Sequence, residues 1–252
     1  MPSVNPQLIT NDLLEKLIPS IESGENKLGD FGLRVILREA KKIPDIAQSL
    51  LITGLAEIVG GNYAAAIGTH ERLALIAPYN DTTWVNFAIA FGQKCQYKLA
   101  RKISIESIPF ADVSGLYHAF LNAGYWADLH SMIAIKNKGL FQSLEPSSLT
   151  DKQRGDIMRC ETILSVLESD LEESKFLSEM ALLVMRIAEE HSLPPRQTSV
   201  HTDAEGMLIF SFGVAKDQAE FVWDLNHELA NLIVDNHLFS ANSIATFHVI
   251  EA

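Results

Sequence analysis

Residues 47–80 read AQSLLITGLAEIVGGNYAAAIGTHERLALIAPYN, and this stretch decides the fold. Two helix-length apolar segments flank the turn Gly60-Gly61-Asn62, and Pro78 closes the second segment. Small residues stand at the eighth and twentieth places, Gly54 and Ala66, where they let two helices approach closely. The pattern therefore predicts a helix–turn–helix unit.

The same spacing begins again at Asp81. Trp84 stands at the fourth place, Ala88 at the eighth, and Tyr97 and Ala100 at the seventeenth and twentieth. Each such unit leaves an apolar face that only a neighbouring unit can cover. The two units resemble tetratricopeptide repeats. That resemblance implies a mainly α fold, a tetratricopeptide-like α-solenoid of antiparallel helix pairs.

A third, degenerate unit is expected over about residues 110–135. Gly124-Tyr125-Trp126 resembles the turn of the repeat, although it comes five residues too early for the register. Pro109 ends the preceding helix. Leu129 stands where the repeat would place alanine, so this unit matches the pattern less well than the first two.

The resemblance also implies a concave groove lined by the first helix of each unit. The residues that it carries to this surface are Gln48, Leu51, Leu55, Ile58 and Val59, then Thr82, Val85, Ile89, Gly92 and Gln93, then Ala111, Ser114, His118, Leu121 and Asn122. This apolar surface suits a helix or an extended segment with hydrophobic anchors, so another protein is the expected partner. The alternative is that the chain covers the surface itself, with its N-terminal helices or its C-terminal part.

Some tetratricopeptide proteins hold acidic chaperone tails with a clamp of lysine, asparagine and arginine in this groove. Here Leu51 and Leu55 occupy the places of the clamp lysine and asparagine, and only Asn86 fits. Capture of a carboxylate tail is not expected, because no fixed cation pairs with it.

A narrower resemblance connects residues 92–100 and 108–124 with the tetratricopeptide chaperones of bacterial type III secretion. It implies a chaperone that holds a translocator segment in the groove. Those chaperones are shorter, and they carry no C-terminal module of the kind predicted here.

Helical segments at 8–42 and 150–190 are predicted to extend or cap the stack. Thr10 or Asn11 is the expected N-cap of the first segment, and Thr150 or Ser148 that of the later one. The turn at 145–148 separates this last part from the repeats.

The C-terminal part changes character after Pro194-Pro195. Two β-type runs around a hairpin turn, a helical stretch and a final β-type run follow in order, at 198–201, 207–214, 221–233 and 243–250. The prediction is a helical domain over 1–192 and a small α+β (ββαβ) module over 196–252. This module could supply a second contact or form a homodimer through an open sheet edge. Alternatively, it is an effector or ligand-sensing part that carries the activity.

Composition excludes several classes of function. The chain has 252 residues, 47% of them hydrophobic, and a net charge of -12. A nucleic-acid duplex would be repelled on average, so no nucleic-acid partner is expected. Two cysteines indicate a reducing compartment. The sequence shows no signal peptide and no membrane span, which predicts a cytoplasmic protein without membrane insertion.

The residue patterns indicate no catalytic chemistry. His227-Glu228 begins a zinc-peptidase motif, but Asn231 stands where the second histidine is required. His70 takes a repeat place that usually holds a large apolar residue, so it is predicted to be a packed structural histidine. We therefore expect a non-enzymatic adaptor or chaperone without catalytic residues, metal or cofactor.

Overall fold

A computed structural model describes residues 6–144, 149–194 and 197–250, and its contacts divide the chain into two compact units, 1–115 and 116–252. The predicted fold class is confirmed: helices dominate, and a ββαβ module follows them. The predicted separation of 1–192 from 196–252 stays a prediction. Part of the predicted boundary and the predicted turn at 145–148 lie outside the described residues.

The first unit consists of helices joined by short turns. They are α1 (Pro6–Ser23), α2 (Gly29–Ala40), α3 (Ile46–Val59), α4 (Tyr63–Ile76), α5 (Asp81–Gln93) and α6 (Tyr97–Ser107). Helix α3 packs closely on α4, and α5 packs closely on α6. Since three residues join the helices of each pair, the partners run antiparallel, as the repeat pattern predicts.

The first helix begins earlier than its sequence suggests. Pro6 opens α1, so the prediction of Thr10 or Asn11 as its N-cap is wrong. Proline is favoured at a first helical position, because its missing N–H would have no intrahelical partner there. Thr10 lies inside the helix instead, and its hydroxyl donates to Gln48 Oε1 at 2.6 Å.

The same turn ends the first helix of each repeat. The N–H of Asn62 donates to the carbonyl of Glu57 at 2.8 Å, and that of Gln96 donates to Phe91 at 2.9 Å. The residue before each donor is left-handed, with φ of 77° at Gly61 and 56° at Cys95. This arrangement is a Schellman-type helix ending.

The second unit contains most of the later helices and the sheet. Its elements are α7 (Val113–Tyr125, which begins at the end of the first unit), α8 (Leu129–Asn137), α9 (Leu140–Ser143), α10 (Asp151–Ser169), α11 (Leu171–Glu190), β1 (Thr198–Thr202), β2 (Leu208–Val214), a 3-10 helix (Lys216–Phe221), α12 (Val222–Asp235) and β3 (Ser243–Val249). The predicted cap is confirmed at Thr150, which forms a capping box with Gln153 at the start of α10.

The turn of the third repeat lies elsewhere than predicted. Asp128 N–H donates to the Ala123 carbonyl at 2.9 Å, and Ala127 is left-handed at φ 51°, so the turn comes two residues early, not five. Gly124 lies within α7, where a Cβ would stand 2.8 Å from Cys160 Sγ. This glycine therefore serves close helix packing and not the turn.

The sheet has the order β1-β2-β3, with β2 antiparallel to β1 and parallel to β3. Four alternating β2 side chains are buried, as the alternation predicts: Leu208, Phe210, Phe212 and Val214. Helix α12 connects the two parallel strands, which cannot be joined by a tight hairpin.

One side chain pairs with the outer edge of β3. The Asn226 amide accepts from the N–H of Phe247 at 2.8 Å and donates to its carbonyl at 3.0 Å. Its oxygen also accepts from the Thr246 hydroxyl at 3.1 Å. Asn226 thus takes the place of a neighbouring strand at the middle of this edge, where another chain could otherwise add a strand.

We expect Asn226→Ala to lower the free energy of unfolding by about 1–3 kcal/mol, because two backbone groups lose their partner. Chemical denaturation measures this loss. Asn231→Ala is the matched control, since Asn231 is an exposed amide on the same helix. Equal stability of the two variants would show that the edge pairing contributes no net stability.

Candidate functional site

The predicted groove residues of the first repeat lie on one face of α3, and most of them are buried. Leu55 is fully covered, and Leu51 and Ile58 are buried as well. Gln48 is half-buried. These residues recur every three to four positions, so they share one side of the helix.

Helix α1 covers this face. Thr10 of α1 bonds to Gln48 near the start of α3, and α1 also packs along α5. At its far end, a Cβ on Gly24 would stand 2.3 Å from the carbonyl oxygen of Gln93, the last residue of α5. Gln48 and Gln93 are both predicted groove residues. Helix α1 therefore lies lengthwise along the surface where the resemblance to tetratricopeptide repeats implies a bound partner.

Apolar side chains hold α1 in this position. Leu13 and Leu17 are buried in the same cluster as Leu51 and Leu55. The opposite side of α1 is exposed, with Lys16 and Ile18 among its residues. Helix α1 is thus amphipathic, and its apolar side packs on α3 and α5.

On α5 the predicted residues are more accessible. Ile89 is 42% exposed and Thr82 is exposed, while Val85, Asn86 and Gln93 are half-buried. Nine of the predicted residues on α3 and α5 form what we call the α1 face: Gln48, Leu51, Leu55, Ile58, Thr82, Val85, Asn86, Ile89 and Gln93. The other two are Val59, which is buried, and Gly92, which is half-buried.

The remaining predicted residues come from the degenerate repeat. Ser114 is exposed and its N–H donates to Asp112 Oδ1 at 2.8 Å, so it serves the start of α7. In the second unit, His118 and Asn122 are half-buried. Burial lowers the pKa of His118, whose ring meets Tyr117 edge-on at 5.1 Å. A binding role for these three residues stays a prediction.

Two carboxyl groups, Asp81 and Asp112, come together at the start of α7. Burial, and then the hydrogen bond to Asp112, raises the pKa of Asp81, while the same bond chiefly lowers the pKa of Asp112. Asp81 accepts from the N–H of Gly115 at 2.6 Å, and Asp112 accepts from Ser114 and Gly115. The pair therefore caps the helix N-terminus, where negative charge is favoured.

Cys160 is a free cysteine in the protein interior. Burial raises the pKa of the Cys160 thiol to about 11, which keeps it protonated near neutral pH. Across 6–144, 149–194 and 197–250, no three histidine, cysteine or acidic residues are grouped so that they could hold a metal ion. Over the same ranges, no helix is long and apolar enough to cross a membrane.

One exposed surface was not predicted. Trp223 on α12 is 80% exposed, and Val234 on the same helix is 53% exposed. The helical spacing of residues 221–233 predicted α12 itself. A second apolar stripe on this helix, at Trp223, Ala230 and Val234, could have predicted the exposed surface as well.

Comparison of the chain with protein-family models, with curated proteins and with solved structures gives no match in any of the three.

Proposed function

We propose that this protein is a non-catalytic interaction adaptor or chaperone that binds an amphipathic helix of a partner protein on the α1 face. The observation that carries the proposal is the lengthwise seat of α1 across α3 and α5. A surface that accommodates one amphipathic helix with buried leucines has the shape and chemistry to accept another.

In this proposal α1 is an occupant that the partner replaces. Leu13 and Leu17 supply the anchors, and a partner helix needs apolar residues at the same spacing. Because α1 belongs to the same chain, its effective concentration is in the range of mM. A partner must therefore bind the α1 face more tightly than α1 does, or meet a chain whose α1 is released.

The test uses a fluorescent synthetic peptide of residues 6–23 as the probe. In the full chain, Leu13→Glu with Leu17→Glu should release α1, because each change puts a charge into a buried apolar site. We expect this variant to bind the peptide at least tenfold more tightly than the wild type, as measured by fluorescence anisotropy. Adding Val85→Glu on α5 should abolish that binding.

The matched control is Asn11→Glu with Ile18→Glu, which changes the net charge by the same amount but places both glutamates on exposed positions of α1. It should bind the peptide no better than the wild type. If the leucine variant loses its cooperative thermal transition, α1 is an inseparable part of the core. If it stays folded and does not bind, the face accepts no helix in trans. Either result refutes the proposal.

A further inference from the structure

The C-terminal module carries a second helix face that no described element covers. Helix α12 packs on α11 and β3, and its residues Leu225 and Leu229 are both buried. On the outer side, Trp223, His227, Ala230 and Val234 are all exposed. These four residues form what we call the α12 seam.

The spacing of the α12 seam suits a helical partner. Its residues stand at i, i+4, i+7 and i+11, which is the alternation of three and four residues found where two helices pack along each other. The seam is about 16 Å long at a rise of about 1.5 Å per residue. It therefore accommodates about three turns of a second helix.

The charges around the seam select the kind of helix. Asp224 and Asp235 are exposed beside it, and Asp217 and Glu220 are exposed on the preceding 3-10 helix. Lys216 is an exposed cation of the same segment. A second copy of this surface would bring acid against acid, which disfavours a symmetric dimer through the seam.

We propose that the α12 seam binds an amphipathic helix of a partner protein that carries lysine or arginine beside its apolar stripe. The apolar stripe packs on Trp223 and Val234, and the cations pair with Asp224 and Asp235. Trp223 is the expected anchor, since exposed tryptophan side chains dominate binding at many interfaces. The α12 seam shares no residue with the α1 face.

Tryptophan fluorescence gives a direct test. The chain has three tryptophans, and Trp84 and Trp126 are only 5% exposed, so a ligand on the seam chiefly changes the emission of Trp223. The probe is an 18-residue peptide with leucine at helical spacing and lysine beside it. A peptide with glutamate in place of lysine is its counterpart. We expect the lysine peptide alone to shift the emission to shorter wavelength.

Variants separate the seam from general attraction to an acidic protein. Trp223→Ala should weaken binding of a labelled lysine peptide at least tenfold, whereas Trp223→Phe should keep the binding and lose the emission shift. Phe31→Ala is the control, because Phe31 is another highly exposed aromatic residue at 78%. Asp224→Lys with Asp235→Lys should reverse the preference to the glutamate peptide.

Several outcomes would overturn the inference. Equal binding of the lysine peptide by Trp223→Ala would mean attraction by net charge alone. An emission shift with phosphatidylcholine vesicles and not with the peptide would make the seam a lipid-binding surface. Self-association of the wild type that Trp223→Ala abolishes, measured by analytical ultracentrifugation, would make a second copy the occupant.

Discussion

Substituting valine for Gly54 is expected to lower the free energy of unfolding by about 3 kcal/mol, the upper range for overpacking a core. A Cβ at this position would stand 2.2 Å from Phe87 Cζ and 3.2 Å from Thr69 Cγ2. The Phe87 ring is fully buried, so it has no solvent side to move into. The corresponding fall in Tm is on the order of 10 °C, measured by circular dichroism.

The matched control is Gly68→Val in α4. No described atom lies within 4 Å of a Cβ at Gly68, so this change should alter stability little. A double variant tests whether the contact with Phe87 causes the loss of stability. Phe87→Leu shortens the opposing side chain, so Gly54→Val should lower the free energy of unfolding less in the Phe87→Leu background than in the wild type. Equal stability of the two valine variants would contradict the close approach of α3 and α5.

Acidification should destabilise the wild type relative to His70→Phe by about 3 kcal/mol between pH 7 and pH 4, at about 1.36 kcal/mol per pKa unit. His70 is 3% exposed and meets Trp84 edge-on at 4.8 Å and Phe87 at 4.9 Å. Burial, with a smaller contribution from Lys102, lowers its pKa to about 4. Denaturant unfolding at a series of pH values measures the difference.

The sign follows from where the proton binds. An unfolded histidine takes up a proton near pH 6.5, whereas folded His70 stays neutral until about pH 4. The unfolded state therefore gains free energy from protonation over this window, and the folded state does not. His70→Gln removes the same titration with different packing, so both variants should show the same pH profile. Parallel curves for wild type and both variants would contradict a buried neutral imidazole.

Local patterns predicted the elements because each depends on residues close in sequence. Gly54, Ala66 and Pro78 predicted the first repeat, and the structure places Gly54 in α3, Ala66 in α4 and Pro78 just after the end of α4. His70 is packed among aromatic rings, as its repeat place predicts. Helical and strand periods are set by backbone geometry, so a sequence reports them without reference to the rest of the chain.

The turn of the third repeat shows where such patterns are ambiguous. A glycine indicates either a left-handed turn or a close packing contact, and Gly124 serves the second. The turn itself uses Ala127 with positive φ, as Cys95 does in the repeat before it. The residue types Ala and Cys do not predict a positive φ. The hydrogen bonds that end the helix hold Ala127 and Cys95 in this conformation.

The sequence by itself predicted α3 and an apolar side of it that needs a cover, because Leu51, Leu55 and Ile58 recur every three to four positions. The sequence did not determine which segment covers α3. The hydrophobic effect has no direction, so any amphipathic segment could bury this apolar side. Only the tertiary structure decided that α1 lies on the predicted groove and that the α12 seam stays exposed. Both outcomes depend on contacts between residues far apart in the chain, and no local pattern encodes those contacts.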